Sequence, residues 1–192
     1  MDSDKTAVSE KIWTVPNVLS MFRLLLVVVF AVAFVLDRPV ISITVFVLSG
    51  VTDFLDGWIA RKFQQISKLG QILDPLADRV FIVLSLVLAG FKEVLPWWFV
   101  VAILARDVVM VFIMLALGSR GFRVLPVNFI GKAGTAAIYF SIPILLLSFY
   151  FQHMQSVFWV VGWASALWGV ALYWIAGIIY IVSAWKTMRS KE

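Results

Sequence analysis

Four aspartates, Asp53, Asp56, Asp74 and Asp78, stand in the stretch 53–78, DFLDGWIARKFQQISKLGQILDPLAD, with apolar sequence on both flanks. If the stretch folds as two helices joined by a basic loop, Asp53 and Asp56 fall at i and i+3, and Asp74 and Asp78 at i and i+4. Each pair then shares a helix face, and a hairpin can turn the two pairs toward each other. Four carboxylates in apolar surroundings repel one another and are poorly solvated unless protons or cations neutralise them. All-oxygen donors suit hard cations, so the stretch predicts one or two divalent ions, Mg2+ first, at a site that meets phosphate.

The residues around the carboxylates fit that chemistry. Gly57 follows Asp56, and Ala60 lies near one turn further on, so small residues leave a groove beside the predicted ligands for a base or a phosphate. Gly70 precedes Asp74 by one turn, and Arg61 can pair with phosphate or with a carboxylate. Ordinary close packing of helices accounts for Gly57 and Ala60 equally well when each is taken alone.

The elements that position these residues are membrane spans. The chain has 192 residues, 62% of them hydrophobic, and a mean hydropathy of +1.00, well above a soluble domain. The spans expected are 18–36, 40–59, 72–90, 96–118, 127–151 and 157–184, each long enough to cross a bilayer. The fold class is therefore an all-α integral membrane protein of six transmembrane helices, one domain over 1–192, with a short interfacial helix within 1–14 and a basic tail over 185–192. The start of the chain lacks a cleavable signal pattern and is expected to be retained. Arg23, one to two turns into the first span, either snorkels to the interface or binds phosphate. Pro143 is expected to kink the fifth span.

Lys and Arg crowd the N-terminus, the 61–68 and 119–123 loops and the tail, while the other connections carry few. By the positive-inside rule both termini and the carboxylate hairpin belong at the cytoplasmic side. The net charge of +5 then reflects topology and anionic lipid, and no nucleic-acid partner is expected. Absence of cysteine excludes disulfides and thiolate metal sites. Trp13, Trp97, Trp98 and Trp185 fall near span ends as interface anchors, and His153 and the four tyrosines are given no catalytic part.

Written out, the central pattern is D-x2-D-G-x2-A-R-x8-G-x3-D-x3-D, from Asp53 to Asp78. At every defined position it resembles the signature of the CDP-alcohol phosphotransferase family. Val15-Pro16-Asn17-Val18-Leu19-Ser20 with Arg23, Ala105-Arg106-Asp107 and Ile130-Gly131-Lys132 are similar to flanking blocks of its phosphatidylglycerol phosphate and cardiolipin synthase branch. The resemblance implies a transferase of phospholipid biosynthesis, acting as a homodimer in a bacterial-type inner or plasma membrane. CDP-diacylglycerol would bind beside two Mg2+ or Mn2+ ions held by Asp53, Asp56, Asp74 and Asp78, with Asp78 also the general base. Asp56, Gly57, Ala60, Arg61 and Gly70 would line the CDP-lipid site.

Arg106, Lys132, Arg120 and Arg123 are candidates for the acceptor's phosphate, although Arg120 and Arg123 also serve topology alone. Arg106 lies deep in a span, and adjacent Asp107 is expected to face elsewhere, which leaves phosphate or a core aspartate as its partner. The acceptor expected is glycerol 3-phosphate, with phosphatidylglycerol beside it and inositol phosphate behind both. Asp rather than Glu after Arg106 resembles the cardiolipin synthases. A cation transporter is the alternative of a different class; it explains buried acids but not the spaced Gly57, Ala60, Arg61 and Gly70.

Overall fold

A computed structural model describes residues 15–62, 70–119, 129–151 and 155–189. These form six α-helices: α1 (Val15–Val35), α2 (Pro39–Lys62), α3 (Gly70–Phe91), α4 (Trp97–Ser119), α5 (Phe129–Tyr150) and α6 (Gln155–Arg189). The expected interfacial segment 1–14, Arg120, Arg123, His153 and the last three residues lie outside the described residues. Five helices are long and apolar enough to cross a membrane: 18–35 in α1, 39–59 in α2, 97–118 in α4, 129–150 in α5 and 155–185 in α6. Helix α3 matches them in length but carries Asp74, Asp78 and Arg79 in its first half.

Helix ends follow from local chemistry. α1 stops in a turn where Asp37 N–H donates to Phe34 O and Arg38 N–H to Ala33 O, the paired bonds of a Schellman cap. α3 stops the same way, with Glu93 N–H on Gly90 O and Val94 N–H on Ala89 O. The left-handed position that glycine usually fills is taken by acids, Asp37 at φ 53° and Glu93 at φ 58°. Pro39 and Pro96 then start the next helices, and the Pro96 carbonyl accepts from Phe99 N–H at 3.0 Å. α5 runs unbroken through Pro143. α6 continues to Arg189, so most of the expected basic tail extends the last helix; no proline or glycine interrupts the sequence between Ala184 and Arg189.

The chain divides into two compact units, residues 1–88 and 89–192. In the first, Leu26, Val27, Phe30, Ala33 and Phe34 of α1 face inward, while Leu25, Val28, Val32 and Val35 face outward, the division a lipid-facing helix shows. Phe30 lies 5.9 Å from Phe46 of α2 and 5.3 Å from Phe81 of α3, ring centre to ring centre, and Phe46 and Phe81 are 5.1 Å apart. With no hydrophobic drive between helices in lipid, such van der Waals contacts hold them, each aromatic pair adding about 1 kcal/mol.

In the second unit α5 and α6 touch backbone to backbone. A Cβ added at Gly134 would lie 2.8 Å from Tyr173 N, and one at Gly169 2.9 Å from Ile138 N. Only glycine permits that approach. Trp163 of α6 packs against Phe99 and Trp98 of α4, and Trp174 Nε1 donates to Ala102 O at 3.1 Å. That bond fixes the register of α4 against α6 one turn before Arg106.

Candidate active site

The phenylalanine cluster supports the carboxylates. Arg23 is two turns before Phe30 on α1, Asp53 two turns after Phe46 on α2, and Asp78 one turn before Phe81 on α3. Because α1 and α2 pair as a turn-linked hairpin, those steps run the same way along the unit. Arg23 Nη1 sits 3.1 Å from Asp53 Oδ1 and donates to Asp78 Oδ1 as well. The Arg23 side chain is 1% exposed, against 51% for Asp53 and 39% for Asp78. The cation is thus buried beneath its anions, and the anions keep an open side.

Of the two roles read from sequence for Arg23, snorkelling does not hold: the side chain is 1% exposed and its Nη1 meets Asp53 and Asp78. A span arginine needs a counter-ion, and Asp53 and Asp78 were the signal that could have assigned it. Asp56, Ala60 and Arg61 lie on α2 and Gly70 and Asp74 on α3, but their side chains fall outside the described residues. Gly57 lies one turn beyond Asp53. Among the described residues no three His, Cys, Asp or Glu side chains come together.

Two carboxylate oxygens already converge on one cationic nitrogen, so this is a place where the fold holds positive charge. Within this contact one guanidinium offsets one of them, which leaves one carboxylate charge unmatched. Oxygen donors with excess negative charge and an open side fit Mg2+ or Mn2+.

The second unit holds a different cluster. The Arg106 guanidinium lies 3.9 Å over the ring of Tyr173, and its Nη1 is 3.6 Å from Asp107 Oδ1. The Tyr173 hydroxyl donates to that same Oδ1. The expectation that adjacent Asp107 faces away from Arg106 is therefore wrong: the long arginine side chain folds back along the helix. Tyr173, read from sequence as packing, is buried but also joined to both charged groups. The pair of charges inside α4 called for a polar partner, and a tyrosine offers both a ring and a donor.

Two neighbouring residues of α6, Ala176 and Gly177, lie beside Gly131 and Arg106. A Cβ on Gly177 would lie 3.4 Å from Arg106 Nε, and one on Gly131 would lie 3.3 Å from Ala176 Cβ. Arg106 and the residue before Lys132 thus meet the same turn of α6, while Lys132 itself is exposed. Tyr180, one turn past Gly177, has a buried hydroxyl with no hydrogen-bond partner among the described residues.

Apolar helices of membrane length that enclose guanidinium–carboxylate clusters define a multi-pass membrane protein with polar chemistry inside it. Residues 13–182 match the model of the CDP-alcohol phosphatidyltransferase family, and the chain belongs to that family, as the aspartate pattern led us to expect. Among its relatives, "Cardiolipin synthase (CMP-forming)" of Streptomyces coelicolor is 39% identical, covering 95% of this chain and 87% of the relative. "CDP-diacylglycerol--glycerol-3-phosphate 3-phosphatidyltransferase" of Cereibacter sphaeroides is 33% identical over 92% of this chain and 95% of its own length. The protein of that name from Salmonella typhimurium is 28% identical over 89% and 91%. The chain is accordingly a phosphatidyl-transferring enzyme, and the transporter alternative gives way.

Proposed function

We propose that this enzyme moves the phosphatidyl group of CDP-diacylglycerol to phosphatidylglycerol, forming cardiolipin and releasing CMP. The observation that carries the acceptor is the Arg106–Asp107 pair. One guanidinium with a carboxylate beside it suits the single charge of a phosphodiester better than a dianionic phosphate monoester. The relative named cardiolipin synthase supports the same reading. Glycerol 3-phosphate is the second reading, supported by the relatives named for that acceptor and by Lys132 as a further cation.

Asp53, Asp56, Asp74 and Asp78 would hold the divalent ions, one or two Mg2+ or Mn2+; when bound, these neutralise charge on the pyrophosphate and the leaving CMP. Asp78 takes the proton of the acceptor hydroxyl. The hydroxyl oxygen then bonds to the phosphorus that carries diacylglycerol, the bond from that phosphorus to the CMP oxygen breaks, and CMP departs with the electron pair. Arg23 holds Asp53 and Asp78 together. Asp56, Gly57, Ala60, Arg61 and Gly70 line the nucleotide side, and Arg106, Lys132, Arg120 and Arg123 serve the acceptor.

In the cell membrane α3 would complete six spans, with the termini and the carboxylates on the cytoplasmic side and two copies forming a dimer. Because the chain lacks cysteine, single cysteines placed at Ser3 and Asp37 should label from opposite sides; labelling from one side rejects the topology. For the reaction, the purified protein is given CDP-diacylglycerol, Mg2+ and either phosphatidylglycerol, glycerol 3-phosphate or inositol phosphate, and CMP and lipid product are followed. Cardiolipin from phosphatidylglycerol alone is expected; phosphatidylglycerol phosphate from glycerol 3-phosphate alone would establish the second reading.

A further inference from the structure

Asp107 Oδ1 is contested. The Tyr173 hydroxyl donates to it, while Arg106 Nη1, beside it in the same cluster, stays 3.6 Å away, beyond hydrogen-bond distance for a nitrogen donor. The guanidinium instead lies on the face of the Tyr173 ring. One residue of α6 therefore touches both charged groups of α4: its ring holds the guanidinium, and its hydroxyl tethers Asp107 through Oδ1, while Oδ2 has no hydrogen-bond partner among the described residues. The bond from Trp174 Nε1 to Ala102 O and the absence of a Cβ at Gly177 fix the helix register and the room this needs.

We propose that Tyr173 is a positioning residue that keeps the charge of Arg106 available to the acceptor's phosphate by tethering Asp107 through Oδ1 while its ring holds the guanidinium. This rests on the reading above in which Arg106 binds that phosphate. Asp107 trims the charge of the site to suit a phosphodiester, and the Tyr173 hydroxyl prevents it from closing onto Arg106 altogether. A hydrogen bond to a charged group is worth more than a neutral one, so a released Asp107 would take over the arginine donors.

The test is kinetic, with the full chain in mixed micelles, Mg2+, CDP-diacylglycerol and phosphatidylglycerol. Tyr173→Phe keeps the ring and removes the hydroxyl. It is expected to raise the acceptor KM about tenfold, the scale of one charge-assisted hydrogen bond, while the KM for CDP-diacylglycerol stays as it was. Asp107→Asn removes the competing charge and is expected to lower the acceptor KM about threefold, within the range for one partly buried charge. The double variant should recover most of what Tyr173→Phe loses, which a merely structural tyrosine would not do. A Tyr173→Phe enzyme with both KM values raised alike, a double variant no better than Tyr173→Phe, or Asp107→Asn with a higher acceptor KM would each overturn the proposal. Arg106→Gln separates the two levels: an unchanged acceptor KM there removes the reading of Arg106 itself. A raised KM there with Tyr173→Phe indistinguishable from the parent removes only the role of Tyr173.

Discussion

The two units each bury an arginine against carboxylate, and they do so in opposite ways. Around Arg23 the cation is the covered partner and Asp53 and Asp78 stay partly open; around Arg106 both cation and anion are mostly enclosed. At Arg23 two carboxylates meet one guanidinium; at Arg106 one carboxylate meets one guanidinium, and a tyrosine touches both. The first arrangement leaves unmet negative charge, which attracts further cations. The second leaves a nearly neutral pair of charges held by the tyrosine. Buried charge pairs alone therefore do not identify a role; which partner keeps its solvent-facing side does.

That contrast can be broken at its strongest point first. Asp78→Asn should lower kcat by about 10^2-fold to 10^4-fold, the range of a lost general base, with acceptor KM little affected; CMP release at the parental rate would remove Asp78 from the chemistry. Arg23→Gln leaves two carboxylates facing each other without their cation and should cost about 3 kcal/mol. Its melting temperature should rise with Mg2+ more steeply than that of the parent, because the ion then replaces the missing charge. Arg106→Gln should show no such added Mg2+ dependence, and equal behaviour of the two variants would erase the distinction between the units. Gly134→Ala pushes a methyl to 2.8 Å from the Tyr173 backbone nitrogen and should lower stability by about 1–3 kcal/mol, raising acceptor KM as the cluster shifts. Glu93→Gly relieves a left-handed glutamate and should add about 1 kcal/mol, visible as a higher melting temperature with kinetics unchanged.

Much of this was legible in the residues. The aspartate spacing led to the family, and Asp37-Arg38-Pro39 and Pro96 marked breaks that the structure places at helix boundaries. These signals are local, set by helix periodicity and by the missing proline N–H. What sequence did not yield depends on partners distant along the chain. Arg23 meets Asp78 across 55 positions and Tyr173 meets Asp107 across 66, and no period of the sequence encodes either meeting. The Arg106–Asp107 contact was missed for another reason: helix geometry sends adjacent Cβ atoms apart, but an arginine is long enough to bend its end group back. The extension of α6 to Arg189 was missed because charge was taken as the end of a helix, whereas Lys and Arg are good helix formers and favour a C-terminal turn.

Arg23 also imposes an order in time. During synthesis α1 is made well before the acids that will cover its guanidinium, since Asp53 and Asp78 belong to the second and third helices. An uncovered arginine in a span opposes insertion, by up to about 3 kcal/mol at the helix centre, so the first helix is complete in sequence before it is comfortable in lipid. Its settlement waits for α3, and a nascent chain halted after α1 is left with an uncovered charge. Asp53 and Asp78 thus complete the N-terminal unit by covering the charge of its first helix.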